Sequence, residues 1–145
     1  MKLNIIKIFN NNSIAALSDE LGDIILTGSG IGFQKKIGDL VDESRIEKTY
    51  IFKEKGEKRI RRGINDIEPI YYEITSLLVS KATEQLNTQF YGEIFLAISD
   101  HIAFAIKRKK EKIDLPNVVL SETKAIYKNE YQLGLWTIKL IKEKI

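Results

Sequence analysis

The chain has 145 residues, of which 43% are hydrophobic and 30% are charged, enough for one ordinary domain or two small ones with a packed core. It contains no cysteine and one histidine, which excludes disulfides and thiolate metal sites and argues against zinc. No segment approaches the roughly 20 apolar residues of a membrane span, and three asparagines at 10–12 interrupt the first apolar run too early for a signal peptide. We therefore expect a cytoplasmic protein without membrane insertion, metal or cofactor.

The net charge of +3 is unevenly distributed along the chain. Residues 53–62 carry six Lys/Arg and two Asp/Glu, whereas residues 1–52 carry six against seven and residues 63–145 carry equal numbers. A basic total of this kind is poor support for nucleic-acid binding, because it lies almost wholly in one short segment. The stretch that begins at Gly56 and includes most of this basic segment is rich in charge and bounded by glycine, so we predict a linker over residues 56–65.

Residues 1–55 have the pattern of a small antiparallel sheet. β-Branched and partly alternating segments predict four strands, separated by turn residues, at about 2–9, 13–18, 24–27 and 46–53. The asparagine triplet is typical of a tight hairpin, because asparagine tolerates left-handed backbone. A module of this size is near the lower limit for independent folding, so we expect it to dimerise.

Residues 66–145 change to a helical period and predict an all-α bundle. Helices are expected at about 66–86, 93–110, 119–127 and 130–144, with Asp66 as a cap and Pro69 in the first turn. The last helix reaches Ile145 without a stop signal, so we expect this domain to be truncated at its C-terminus. The predicted fold class is α+β, a four-stranded sheet followed by helices.

The segment 27–36 (TGSGIGFQKK) lies between apolar runs and has two interpretations. It is either a loop whose glycines serve geometry alone, or a ligand-binding loop in which backbone amides approach a partner and Phe33 stacks on a base. It is not a phosphate-binding P-loop, because no Gly-Lys-Ser/Thr follows and no helix begins after it.

His101 is the only histidine and lies on the second predicted helix, three residues after Ile98 and seven after Ile94. The spacing places it near the apolar stripe, where a partly buried histidine satisfied by hydrogen bonds is the plain interpretation. The functional alternative is a titrating or phosphoryl-accepting imidazole. Lys107 and Arg108 follow about two turns later and would meet a phosphate only if the fold brings them close.

The N-terminal motifs resemble a known RNA-binding domain. The asparagine triplet, followed by GSGIGFQKK at 28–36, Gly-Asp at 38–39 and Ile-Glu-Lys at 46–48, is similar to the co-antiterminator domain of the BglG/SacY family of bacterial transcriptional antiterminators. The helical part adds a second match. Residues 98–108 (ISDHIAFAIKR) and 127–134 (YKNEYQLG) resemble the phosphorylatable helix and a later segment of a PTS-regulation domain, which senses the sugar phosphotransferase system.

The resemblance implies roles for individual residues. Asn12 would contact RNA from the first hairpin and Lys7 would lie near phosphate. The backbone of Gly28, Ser29 and Gly30 would face the RNA, and Phe33 would stack in an internal loop. Gln34 and Lys35 would complete the RNA-binding set, and His101 would be the phosphoacceptor. Ser29 occupies a position where some members have arginine, so a charged contact is absent there.

The resemblance also implies a function. The chain would act as a homodimer that stabilises a leader-mRNA hairpin against an overlapping terminator, and it would not be an enzyme. A phosphocarrier of the phosphotransferase system or a sugar permease (enzyme II) would phosphorylate the histidine. Two rivals remain at this point. A histidine-dependent small-molecule sensor needs polar groups around His101, and a DNA-binding sugar-operon regulator needs a basic recognition helix.

Overall fold

The computed structural model describes residues 2–53, 67–111 and 128–144. It begins with a four-stranded antiparallel sheet in the order β1-β2-β3-β4. The strands are β1 (Leu3–Asn10), β2 (Ser13–Ser18), β3 (Gly22–Thr27) and β4 (Lys48–Ile51). A short 3₁₀ helix, Glu43–Arg45, precedes β4. The predicted strands are all present, and the fourth is shorter than the sequence suggested.

Three helices follow the sheet among the described residues: α1 (Pro69–Leu86), α2 (Gly92–Lys110) and α3 (Lys128–Lys144). The α+β architecture is therefore confirmed. Helix α1 has proline in its first turn, as expected, and its N-cap is Glu68, which makes no side-chain capping bond. The predicted linker at 56–65, the Asp66 cap and the predicted helix at 119–127 lie outside the described residues. None of the described helices is both long and apolar enough to span a membrane.

Both faces of the sheet are buried within one chain. Alternation along β2 and β3 sends Ile14 and Ile24 to one face and Ala15 and Ile25 to the other. The first face is covered by the segment between β3 and β4, through Ile31 and Val41. The second face packs against α1 and α2. An irregular register in β1 helps this arrangement, because it lets Phe9 join the second face.

Four aromatic side chains join the sheet to the helices. We call Phe9 and Tyr50 of the sheet, together with Tyr72 of α1 and Phe95 of α2, the aromatic cluster. The ring centroids of Phe9 and Tyr72 are 4.4 Å apart, and those of Tyr50 and Phe95 are 5.5 Å apart. Phe95 is fully buried and also approaches Phe9, at 6.2 Å. These contacts between rings stabilise the fold beyond the stabilisation that comes from the large apolar area each ring buries.

Polar contacts fix the position of the helices on the sheet. The Asn10 side-chain amide donates to the carbonyl oxygen of Pro69 at the start of α1, at 3.1 Å. The backbone N–H of Lys53 donates to both carboxylate oxygens of Glu93 in α2, at 2.9 and 3.0 Å. Phe52 packs so closely against Gly92 that a Cβ there would lie 2.9 Å from the ring. The sheet and helices thus meet through specific, directional contacts.

We predict that Phe95→Ala lowers the free energy of unfolding by about 3–5 kcal/mol, because it empties the centre of the aromatic cluster. Chemical denaturation followed by far-UV circular dichroism measures the change. Phe104→Ala is the matched control on the same helix: Phe104 is 58% exposed, and we expect its loss to cost less than about 1 kcal/mol. Equal costs for the two variants would contradict this account of the cluster.

Candidate RNA interface and phosphoacceptor

The asparagine hairpin and the glycine loop are joined by backbone hydrogen bonds. The N–H of Gly28 donates to the carbonyl oxygen of Asn12 at 3.0 Å, and the N–H of Gly32 donates to that of Asn11 at 2.8 Å. The side chain of Asn12 accepts from the N–H of Gly30 at 2.9 Å. Asn10 supports the hairpin itself, because its Oδ1 accepts from the N–H of Asn12 at 2.8 Å. Two motifs that are 16 residues apart at Asn12 and Gly28 therefore form one surface.

The glycines of the loop have geometric roles. A Cβ on Gly28 would collide with the backbone carbonyl of Arg45, and one on Gly32 would meet the carbonyl oxygen of Asn10 at 2.5 Å. Gly30 has a φ of +73°, in the left-handed region that favours glycine. Gly28 is buried, its N–H donates to Asn12 and its carbonyl oxygen accepts from the N–H of Ile31, so a direct contact between Gly28 and RNA stays a prediction.

Phe33 and Ile31 point to different environments. Ile31 is fully buried under the first face of the sheet and anchors the loop. Phe33, two residues later, is 56% exposed, and Gln34 beside it is also exposed, with a φ of +56°. An exposed aromatic ring on an anchored loop has the geometry of a stacking platform for a base. Truncating it should also cost the fold little.

The predicted lysines are less closely grouped than the loop residues. Lys35 is half-buried, and its Nζ donates to the carbonyl oxygen of Leu40 at 3.4 Å. Lys7 lies on β1 opposite Ala15, and its Nζ is 5.9 Å from the centroid of the Phe9 ring. The structure thus brings Asn12, Ser29 and Gly30 together and places Lys7 on a neighbouring strand.

Arg45 is a candidate that the sequence analysis missed. Its Nη1 donates to the carbonyl oxygen of Ser29 at 3.3 Å, and its Nε donates to Asp42 at 3.2 Å. A guanidinium therefore stands beside Ser29, where the sequence lacks a cation. Asp42 is held as a carboxylate, because bonds from Ser44 and then Arg45 lower its pKa. The sequence analysis missed Arg45 because its contact with Ser29 joins segments that are 16 residues apart in the chain.

The interface borders a cavity of about 250 Å³ between the sheet and α1. Its sheet side includes Asn12, Ser13 and Ser29, and its helix side includes Glu73, Ser76, Leu77 and Ser80. Between the sheet and α1, burial raises the pKa of Tyr50, and a hydrogen bond with the Ser80 hydroxyl partly opposes that rise. No local pattern in the sequence indicated that residues of α1 adjoin the glycine loop.

His101 is exposed on α2, so the interpretation of a partly buried histidine is wrong. The buried stripe of α2 contains Phe95, Ser99 and Ile102, whereas Ile94 is 41% exposed. The stripe is therefore rotated from the one that the sequence suggested. The Ser99 hydroxyl occupies its centre and lies 2.8 Å from that of Thr75 in α1.

An open cleft between α2 and α3 adjoins His101. Its lining includes Ile98, Ile102, Leu133 and Ile138, and among the described side chains that line it only His101 and Thr137 are polar. Arg108 lies further along α2, with its guanidinium carbon 5.0 Å from the centroid of the Phe104 ring. The imidazole is thus accessible to a donor, and the cleft supplies few polar groups of the kind that a small-molecule sensor or a catalytic site would need.

Two models of known protein families match this chain. The model of the CAT RNA binding domain matches residues 3–59, and that of the PRD domain matches residues 76–145. The chain is 34% identical to the transcription antiterminator LicT of Bacillus subtilis (strain 168), over 98% of the chain and 52% of that protein. It is 28% identical to the beta-glucoside operon antiterminator of Dickeya chrysanthemi, over 99% of the chain and 51% of that protein. The chain thus spans about half the length of these curated relatives.

One solved structure resembles nearly the whole chain. The crystal structure of GlcT CAT-PRDI is 31% identical, with a TM-score of 0.77, and the match covers 99% of this chain and 86% of that one. The similarity therefore extends over the sheet and the helices together.

We predict that Gly28→Ala lowers the free energy of unfolding by about 1–3 kcal/mol, because the added methyl group collides with the backbone of Arg45. Thermal and chemical denaturation measure the effect. Gly134→Ala in α3 is the control, since a Cβ there meets open space and alanine favours a helix. The control is expected to match or exceed the stability of the parent, and a Gly28→Ala protein as stable as the parent would disprove the close packing of the loop.

Proposed function

The chain belongs to the family of transcription antiterminators that join a CAT RNA binding domain to a PRD domain, and we propose that it binds a hairpin in a leader mRNA and keeps an overlapping terminator from forming. The observation that carries this proposal is the joined surface of asparagine hairpin and glycine loop, with Phe33 exposed beside it. Single-stranded or bulged RNA is read by stacking and by hydrogen bonds to base edges, and this surface offers both.

We assign RNA contacts to the residues that the sequence singled out and add Arg45. Phe33 would stack on an unpaired base, and Asn12 and Ser29 would bond to base edges or sugar hydroxyls. Lys7, Lys35 and Arg45 would approach phosphates, and Gln34 would contribute an amide. Gly28 and Gly30 would act through the shape of the loop and the approach of its backbone.

The proposal divides the chain into an RNA-binding domain at 1–55, a linker at 56–65 and a regulatory domain from residue 66 onward. It describes a cytoplasmic regulator that works without catalysis. The exposed position of His101 suits phosphorylation by a phosphocarrier or a sugar permease of the phosphotransferase system. A phosphoryl group adds one to two negative charges, which the apolar cleft beside His101 cannot solvate well.

The active species would be a homodimer. In the described chain both faces of the sheet are already covered, one by its own loop and the other by α1 and α2. A dimer in which two sheets pack face to face therefore requires the helices to leave the aromatic cluster. Dimerisation of the sheet and docking of the helices would therefore compete for the same face. Phosphorylation of His101 would shift this balance by changing how α2 and α3 pack, and hence how firmly the helices bind to the sheet.

We predict that Phe33→Ala weakens binding of a leader hairpin by about one to two orders of magnitude, because base stacking on an aromatic ring contributes about 1–3 kcal/mol. Gel shift or fluorescence anisotropy measures the affinity, with duplex DNA as a competitor control. Phe104→Ala, which removes an equally exposed ring from α2, should bind like the parent. An undiminished affinity in Phe33→Ala would refute the stacking role.

A second prediction concerns His101. We expect the phosphorylated chain to differ from the unphosphorylated chain in its monomer–dimer equilibrium, measured by sedimentation velocity, and in its affinity for the hairpin. His101→Ala leaves no histidine to accept the phosphoryl group and should not respond to the donor system. If both forms of the parent sediment identically and bind RNA equally, this regulatory role is wrong.

A further inference from the structure

The guanidinium of Arg45 is held beside the glycine loop by two defined contacts. Its Nε donates to the carboxylate of Asp42 at 3.2 Å, and its Nη1 donates to the carbonyl oxygen of Ser29 at 3.3 Å. Gly30 leaves room for it, because a Cβ on Gly30 would lie 2.8 Å from Nη1. The position of the guanidinium therefore depends on both the loop and the turn that precedes β4.

These contacts add little to the stability of the fold. The side chains of Arg45 and Asp42 are 53% and 41% exposed, and exposed ion pairs stabilise a protein only slightly. Asp42 also supports the 3₁₀ turn without Arg45, because its Oδ1 accepts from the backbone N–H and the hydroxyl of Ser44, at 3.2 and 2.6 Å. Truncation of Arg45 should therefore leave the fold intact, and its effect on binding can be measured directly.

One edge of the guanidinium is left for a ligand. Within the described part of the chain, Nη2 of Arg45 donates no hydrogen bond, so its two N–H groups and one of Nη1 have no partner. Asn12 lies across the loop, where its Oδ1 accepts from the N–H of Gly30, and its side-chain NH2 group is exposed. The exposed Ser29 adds a hydroxyl group between them. The groups that converge here are mainly hydrogen-bond donors.

This edge stays accessible whether or not the helices are docked. Arg45 lies in the segment between β3 and β4, which packs on the first face of the sheet through Val41 and Ile46. The helices dock on the second face, and a dimer formed face to face in their place would use that face as well. A ligand can therefore reach the guanidinium in the docked chain and would also reach it in the dimer.

A phosphate is the group that suits this edge. The fork of a guanidinium matches two phosphate oxygens, and hydrogen bonds between two charged partners are among the strongest that proteins form. Phe33 follows in the same turn of the loop, since its N–H donates to the carbonyl oxygen of Gly30 at 3.1 Å. A phosphate bound by Arg45 would thus lie near the ring on which a base is proposed to stack.

We propose that Arg45 binds one phosphate of the RNA backbone through its free edge, with Asp42 as a positioning residue, and that this contact sets the register in which a base meets Phe33. Phosphate contacts of this kind position a protein on its nucleic acid and do not themselves read the sequence. The inference rests on the RNA-binding function proposed above and assigns to one residue the placement of the RNA.

The test combines a change in the RNA with a change in the protein. Each phosphate of a hairpin that the parent chain binds is replaced in turn by an uncharged methylphosphonate, and affinity is measured by fluorescence anisotropy. We expect one linkage at which the replacement weakens binding by about tenfold and at which Arg45→Ala is insensitive, because the partner of that phosphate is gone. Arg45→Ala should bind the intact hairpin about tenfold more weakly, and its slope of log affinity against log salt should fall by about one.

Two further variants refine the test. Lys142→Ala removes the same charge from an exposed position on α3 and should keep the affinity, the salt slope and the sensitivity at every linkage. Asp42→Asn keeps an acceptor for Ser44 and loses the acceptor for Nε of Arg45. It should weaken binding in the parent chain and have no effect in Arg45→Ala, whereas an equal loss in both would overturn the positioning role.

The outcomes separate this inference from the function on which it rests. If the chain binds no hairpin at all, both fail. If hairpins bind and Phe33→Ala weakens them, but Arg45→Ala binds as tightly as the parent, only the phosphate contact is overturned. The contact is also overturned if Arg45→Ala stays sensitive at every linkage and instead stops responding to 7-deazaguanine in place of a guanine, since Arg45 would then contact a base edge.

Discussion

The contact between the sheet and the helices through the aromatic cluster determines most of what this structure can do. Phe95 is buried between Phe9 and Tyr50 of the sheet and Tyr72 of α1, so one side chain belongs to the cores of both parts of the chain. Because interiors are close-packed, the helices cannot slide by small amounts on this face and must either dock or separate. A contact with two discrete states is the physical requirement for a regulatory domain to control a binding domain. The same docking brings α1 to the edge of the glycine loop.

The glycine loop shows how geometry and recognition can depend on the same residues. Gly28 and Gly32 are needed because backbone carbonyls lie where a Cβ would be, and Ile31 fixes the loop to the sheet. These constraints leave the Phe33 ring exposed on a backbone that is held in successive turns. A ring on a fixed backbone loses less conformational freedom when a base stacks on it than a ring on an unfixed loop would. The two interpretations of the loop, structural glycines and an RNA-binding loop, are therefore compatible.

The sequence predicted the elements well and their spatial neighbours poorly. Alternation over β2 and β3 and the helical period of α1 and α2 are local signals, and the elements that the structure describes lie close to their expected bounds. The prediction that His101 is partly buried was wrong. Isoleucines spaced four residues apart shift gradually around a helix and so do not mark a single face, and the buried face of α2 contains Phe95, Ser99 and Ile102. Arg45 beside Ser29 and Ser76 near Asn12 depend on contacts between distant segments, which no local pattern contains.

The proposed RNA-binding surface lies in a segment with a net charge of −1, so it would work without a strong electrostatic field. Lys35 and Lys7 are partly engaged with Leu40 and Phe9, and Arg45 is paired with Asp42. On this proposal the attraction of the surface for RNA phosphates would be weak, and non-specific binding, which depends on that attraction, would be weak as well. Specific binding would then rely on stacking, on hydrogen bonds from the asparagine hairpin and on the shape of the loop. Such interactions read unpaired bases in preference to uniform duplex, which is the discrimination that a protein must make when it chooses one hairpin from a transcript.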